Sequence, residues 1–157
     1  VNEILLYSIS IIKKYISGGN FAKQIELKAE INQERLLIAG NYDLLIQAFY
    51  NILLNSVQAV SEMIEKSSRY IGTLSITESV GEKSVEIIFA DNGGGIAAQA
   101  LERIFEAGYS TKTGGSGLGL AIVSEIVKQH GAIINIESCG AETKVKISFP
   151  LSEGEQK

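Results

Sequence analysis

Apolar residues recur along this chain in two rhythms, and the changes between them divide it into elements. Val1, Ile4, Leu5, Ile9, Ile12 and Ile16 fall at helical spacing, so residues 1–17 are read as a helix that Gly18-Gly19-Asn20 stops. Leu6, Tyr7 and Ile11 spread its apolar surface around the circumference. Either it packs on the domain's own core, or it is the end of a helix that continues upstream and wants a partner; the breadth of the surface favours the second. Ile25, Leu27, Ala29 and Ile31 alternate with charged residues, the pattern of a half-buried strand, and Leu36-Leu37-Ile38-Ala39 reads as a short second strand. After the Gly40-Asn41 turn, Leu45, Phe49, Ile52, Leu53, Val57 and Val60 form the stripe of a long helix from about Tyr42 to Glu65. Two strands follow, 70–79 and 84–90, joined as a hairpin through Val80-Gly81-Glu82-Lys83. A short helix is expected over Ala100–Phe105 and a long Gly/Ser/Thr-rich loop over 106–116. Leu118 to His130 is read as a helix ended by Gly131, and strands 132–138 and 142–149 close the chain around Cys139-Gly140-Ala141.

Composition narrows the classes. The 157 residues suffice for one domain with a sizeable core. A net charge of −4 gives no basic face for nucleic acid, though it leaves room for an anion held locally by backbone amides. Cys139 is the only cysteine, so no internal disulfide forms and a reducing, cytoplasmic compartment fits best. No apolar run approaches membrane-spanning length by eye, and no direct membrane contact is expected. The chain starts at Val1, not at a methionine, and is taken for a piece of a longer protein whose other parts can be membrane-anchored.

Candidate chemistry gathers around glycines, eight of sixteen lying between positions 93 and 119. Asp91-Asn92-Gly93-Gly94-Gly95-Ile96 follows a strand and ends it in a carboxylate next to backbone able to lie close to a flat ligand. Alone it is also good turn chemistry. A second cluster, Gly114-Gly115-Ser116-Gly117-Leu118-Gly119, sits at a helix start, where free N–H groups and the helix dipole suit phosphate. The dinucleotide fingerprint fails because a polar loop, Tyr109–Thr113, precedes the glycines. A P-loop fails because leucines, not Lys-Ser or Lys-Thr, surround the last glycine. Upstream, Gln47, Asn51, Asn55 and Gln58 or Glu62 share one face of the long helix. Mid-helix asparagines are costly there unless they have partners.

With these residues in view the chain resembles sensor histidine kinases. Asn51-Ile52-Leu53-Leu54-Asn55-Ser56-Val57-Gln58-Ala59 is similar to their N box and Asp91–Ile96 to their G1 box. Ile104-Phe105-Glu106 with Tyr109-Ser110-Thr111-Lys112 is similar to the F box and lid, and Gly115–Leu120 to the G2 box. Order and spacing match over nearly all of residues 25–150. The likeness is to the catalytic, ATP-binding domain, within a wider group that includes gyrase-type topoisomerases, Hsp90 chaperones and MutL repair proteins. It implies an α+β fold: a two-layer α/β sandwich of Bergerat type, with a mixed sheet of about five strands and three main helices on one face. It also implies a division into an upstream linker or dimerisation helix (1–19), the catalytic domain (20–151) and a frayed tail (152–157).

The roles that follow are those of the family. Asp91 accepts from the adenine amine, a choice that favours adenine over guanine, whose carbonyl would face the carboxylate. Gly93 and Gly95 let the backbone bend around the base. Thr143 matches a threonine that supports the aspartate, or is an ordinary β-branched strand residue. Asn55 ligates Mg²⁺ through its amide oxygen, with Asn51 on the same side. Tyr109, Ser110, Thr111 and Lys112 belong to the lid, and Lys112 with the two hydroxyls reaches the phosphates. Gly115, Gly117 and Gly119 bring backbone amides to the phosphates, while Ile96 and Leu118, within the nucleotide-binding boxes, and Leu120 are read as packing rather than as contacts. Asn51, Asn55 and Lys112 are the candidate catalytic residues.

Position 51 separates the relatives. Water-splitting members of the group carry Glu four before the metal asparagine, as general base; an amide cannot take that proton. The expected activity is therefore transfer of the ATP γ-phosphoryl group to a histidine on a separate dimerisation domain, with a response regulator receiver domain downstream. Three departures bear on this. Gln58 stands where lysine is common, Ala107-Gly108 stand where Pro and Phe are frequent, and no phosphoacceptor box is present. The single histidine, His130, reads as a helix-end residue. An ATPase or conformational switch of the wider group, and a degenerate docking module that only binds nucleotide, are the alternatives.

Overall fold

The computed structural model describes residues 1–32, 37–111 and 115–151. Helix α1 (Asn2–Gly18) leads to strand β1 (Ile25–Glu30), helix α2 (Tyr42–Lys66) and strands β2 (Gly72–Val80) and β3 (Ser84–Asp91). A single-turn helix α3 (Ala98–Leu101), helix α4 (Gly119–Gln129) and strands β4 (Ile133–Cys139) and β5 (Glu142–Pro150) complete the order. One five-stranded sheet has the order β1-β2-β3-β5-β4, with β1 parallel to β2 and the other neighbours antiparallel. This is the mixed sheet and α+β architecture that the resemblance implied.

One face of the sheet is covered. Leu74, Ile76, Val85, Ile87, Phe89, Val145, Ile147 and Phe149 alternate with more exposed residues and are buried. α2 lies on this face between α1 and α4. Phe49 of α2 seats between Phe89 and Phe149, with ring centroids 5.5 and 6.1 Å away. By length and mean hydropathy α2 could cross a membrane, contrary to the sequence reading; its buried stripe, Leu45 to Ile64, makes it instead the central core helix. Asn41 caps it, accepting from the Leu44 N–H at 3.1 Å.

Helix α1 also joins this core. Ile4, Leu5, Ser8, Ile9, Ile12 and Ile16 are buried, and the Ser8 hydroxyl donates to the Ile4 carbonyl at 2.8 Å. Leu6, Tyr7 and Tyr15 remain exposed on its outer side.

Two elements differ from expectation. Leu37–Ala39 is not a strand, and Leu36 lies outside the described residues. The helix expected over 100–105 begins and ends earlier, at Ala98–Leu101, and the chain continues in turns closed by Arg103 N–H to Ala100 and Glu106 N–H to Arg103 bonds. Such i→i+3 bonds tighten the backbone beyond an α-helical turn.

Candidate functional site

The register of the sheet assembles the site. Leu74, Asp91, Thr143 and Ser138 are consecutive cross-strand partners on β2, β3, β5 and β4, so they share the helix-facing side. At this row the apolar core gives way to polar groups. Asp91 is only 7% exposed. Its Oδ2 accepts from the Ser56 hydroxyl of α2 at 2.7 Å, and its Oδ1 accepts from the Gly93 N–H at 2.9 Å. Charged acceptors gain most from such donors, and the two bonds fix the plane of the carboxylate. Thr143 is buried directly opposite Asp91. That placement suits a supporting role for Thr143.

The glycine corner after β3 is fastened on both sides. Asn92 accepts from the Thr73 N–H at 2.8 Å and donates to the Ile71 carbonyl at 3.0 Å, and the Tyr70 hydroxyl donates to the Asn92 carbonyl. On the other side the Gly94 N–H donates to the Ala141 carbonyl at 3.1 Å and the Ile96 N–H to the Ser138 hydroxyl at 2.8 Å. Gly95 has φ +75°, and a Cβ there would lie 2.2 Å from the Gly140 carbonyl oxygen, so glycine is required twice over.

Across from this corner lie the start of α4 and the segment that leads into residues 109–111. The Gly108 N–H donates to the Gly117 carbonyl at 3.0 Å, and a Cβ on Gly117 (φ +65°) would lie 2.4 Å from the Gly108 carbonyl carbon. This close approach closes the loop between them at its root. The Arg103 guanidinium stacks on the Tyr109 ring, 4.5 Å from its centroid, and pairs with Glu106 at 3.0 Å. The first turn of α4 presents N–H groups that no helical carbonyl reaches. Asn55 Nδ2 is 3.7 Å from where a Cβ on Gly119 would stand, so the asparagine face of α2 meets the α4 start.

These pieces enclose a cavity of about 610 Å³. Its walls include Asn51, Asn55, Asp91, Gly93, Gly95, Ile96, Tyr109, Ser110, Thr111, Gly115, Gly117, Gly119 and Thr143. The structure thus brings together all the described candidates but one. Leu118, just before α4, is 47% exposed and is not among the walls; Leu120, the second residue of α4, is. Lys112 lies outside the described residues. Among the described residues no lysine or arginine lines the cavity, and Glu62 does. A second groove, of about 780 Å³, runs between the end of α1 and α2 and shares Gln58, Glu62 and Gly115 with it. It contains neither the carboxylate nor the glycine corner.

Sequence reasoning assigned no role to Ser56 or Ser138. A signal was present in both cases. Ser56 occupies the buried stripe of α2 between Ile52 and Val60, and Ser138 continues the inward alternation of Ile134 and Ile136. A polar residue at an apolar position calls for a partner.

Comparison with known proteins accords with this geometry. A profile of the family described as histidine kinase-, DNA gyrase B-, and HSP90-like ATPase matches residues 40–153. Sensor histidine kinase ZraS of Escherichia coli is 33% identical over 138 residues, covering 88% of this chain and 27% of the relative. Sensory histidine kinase/phosphatase NtrB of Rhizobium leguminosarum bv. phaseoli is 31% identical over 148 residues, 89% of this chain and 39% of the relative. The chain thus spans well under half the length of these relatives. In fold it is similar to the mycobacterial sensor histidine kinase MprB, with a TM-score of 0.78 at 22% identity over 96% of this chain and 93% of that one. It is equally similar to the catalytic domain of histidine kinase ThkA, with a TM-score of 0.79 at 22% identity over 96% and 91%.

Proposed function

The chain belongs to the family of histidine kinase-, DNA gyrase B- and HSP90-like ATPases, and from that premise we propose that it is the ATP-binding catalytic domain of a sensor histidine kinase. The observation that carries the adenine assignment is the Asp91 carboxylate, held in plane by Ser56 and Gly93 at the floor of the cavity. The adenine amine donates to Asp91. Gly95 and Ile96 line the base, and the amides at Gly117–Gly119 serve the phosphates. The donor set suits Mg²⁺ at Asn55, a neutral oxygen ligand beside phosphate oxygens, with Asn51 on the same face of α2 and Lys112 as the candidate cation for the phosphates. Bound Mg²⁺ would neutralise charge on the phosphate oxygens.

The transfer is in line. A nitrogen lone pair of the acceptor imidazole forms the new P–N bond while the bond from the γ-phosphorus to the β–γ bridging oxygen breaks, and ADP leaves. The acceptor sits on a dimerisation domain of the parent protein, from which α1 leads in, and a response regulator receiver domain takes the group onward. The site belongs on the cytoplasmic side of whatever anchors the parent. Asn51 argues against an ATPase: no carboxylate stands four residues before Asn55 to activate water.

The test is calorimetric titration with Mg-ATP beside a phosphate-release assay. Binding with little release is expected, and Asp91→Asn should abolish detectable binding, because an amide NH₂ group either faces the adenine amine or gives up the bond to Ser56 or Gly93. Rapid release by the wild type would move the chain to the ATPase branch. No binding at all would leave a degenerate module.

A further inference from the structure

The tip of the β4–β5 hairpin lies beneath the glycine corner, and one side chain there links the two. The Ser138 hydroxyl accepts from the Ile96 N–H at 2.8 Å and donates to the Glu142 carbonyl at 3.0 Å. Both capacities of the hydroxyl are directed, so its orientation is set. Its neighbours clamp the same corner: the Ala141 carbonyl receives the Gly94 N–H at 3.1 Å, and the Gly140 carbonyl lies too close to Gly95 for any Cβ. Ser138 is also the cross-strand partner of Thr143, itself the partner of Asp91. The corner is therefore held by side chains at both of its ends. Gly93 N–H on Asp91 fixes where it starts, and Ser138 on Ile96 fixes where it leaves.

We infer that Ser138 is a positioning residue for base recognition: it holds the Gly95–Ile96 backbone against the hairpin so that this wall and the Asp91 carboxylate together match the adenine ring. This rests on the adenine reading of the cavity. Without the hydroxyl, the Ile96 N–H keeps no partner on β4, and the corner gains freedom at the edge of the base. The cost falls on the base end of the nucleotide alone, since the phosphate end is built from α2, α4 and the lid.

The experiment compares wild type, Ser138→Ala and Ser138→Thr for binding of Mg-ATP and of magnesium tripolyphosphate, which has no base, with thermal melting as the fold control. Ser138→Ala should weaken ATP about tenfold, as a lost bond to a covered N–H does. It should leave tripolyphosphate binding unchanged, and Ser138→Thr, which keeps the hydroxyl, should restore ATP affinity. Exchange of the Ile96 amide with solvent should quicken in Ser138→Ala without nucleotide present. Unchanged ATP affinity with an intact fold overturns the inference alone. Equal weakening of both ligands, or no rescue by threonine, also overturns it, since that would mark a general loss of structure. Failure of the wild type to bind ATP overturns the adenine reading and this inference with it; quickened exchange at Ile96 would then mark Ser138 as a support of the corner only.

Discussion

At the scale of single residues, the buried polar groups separate into those with a task and those with a cost. Ser56, Asp91 and the half-buried Ser138 cluster at one end of the sheet and bond to one another or to the glycine corner, with Thr143 buried opposite Asp91. Glu78 sits apart, near the far end of β2. Its Oε2 accepts from the Asn32 N–H at 2.9 Å, while Oε1 is buried with no donor among the described residues. Burial pushes its carboxyl above the ordinary glutamate value of 4.5, against the opposing pull of the Asn32 N–H. The sign follows from linkage: the folded state prefers the protonated acid, so stability is greatest below the ordinary value and falls as pH rises through the raised one. Glu78→Gln keeps an oxygen for Asn32 and removes the charge. It should be the more stable protein at neutral pH, by under about 1 kcal/mol after solvent screening, and should lose the difference in acid. Urea midpoints on either side of that transition decide it, and a wild type that gains stability toward neutrality relative to the variant would refute the assignment. Asp91 was legible in the sequence because it stands beside glycines that mark a corner. Ser56, Ser138 and Glu78 were not, because a single polar letter in an apolar rhythm shows that a partner is needed but not which one.

At the scale of elements, periodicity located every helix and strand whose pattern ran for six residues or more. It failed where the chain is short or irregular, at 37–39 and at α3, since a few residues carry no period. Pairing order was not readable either: β5 inserts between β3 and β4, a consequence of long-range packing. Helix α1 makes the contrast sharpest. Its breadth of apolar residues pointed to an upstream partner, yet Leu5 is 0% exposed on the domain's own core while the adjacent Leu6 is 57% exposed. Leu5→Ala should therefore cost about 2–5 kcal/mol through the cavity it leaves, and Leu6→Ala within about 0.5 kcal/mol. Denaturant unfolding of the two variants measures this directly. Equal, small effects would mean that α1 is only loosely attached and that the core begins at β1.

At the scale of the whole molecule, the cavity and the one histidine of the chain stand apart, since His130 is not among the cavity's described walls. His130 is the only histidine, and its ring is committed. It caps the end of α4, where its Nδ1 lies 2.6 Å from the Ile126 carbonyl, and its Nε2 accepts from the Asn41 N–H at 2.9 Å, tying α4 to the start of α2. These partners assign the neutral tautomer with the proton on Nδ1. Neither nitrogen has a free lone pair to attack phosphorus, and the ring stands by the N-cap of α2, whereas Asn51 and Asn55 of the cavity wall lie about three to four turns along that helix. Incubation of this chain with γ-labelled ATP should accordingly give no acid-labile protein label. Addition of the histidine-bearing domain of the parent protein should produce label on that domain, stable in base and lost in acid, and Asp91→Asn should prevent it. Acid-labile label on the isolated chain would show that His130 leaves its two partners and is the acceptor, and the division between a catalytic domain and a separate acceptor domain would fall.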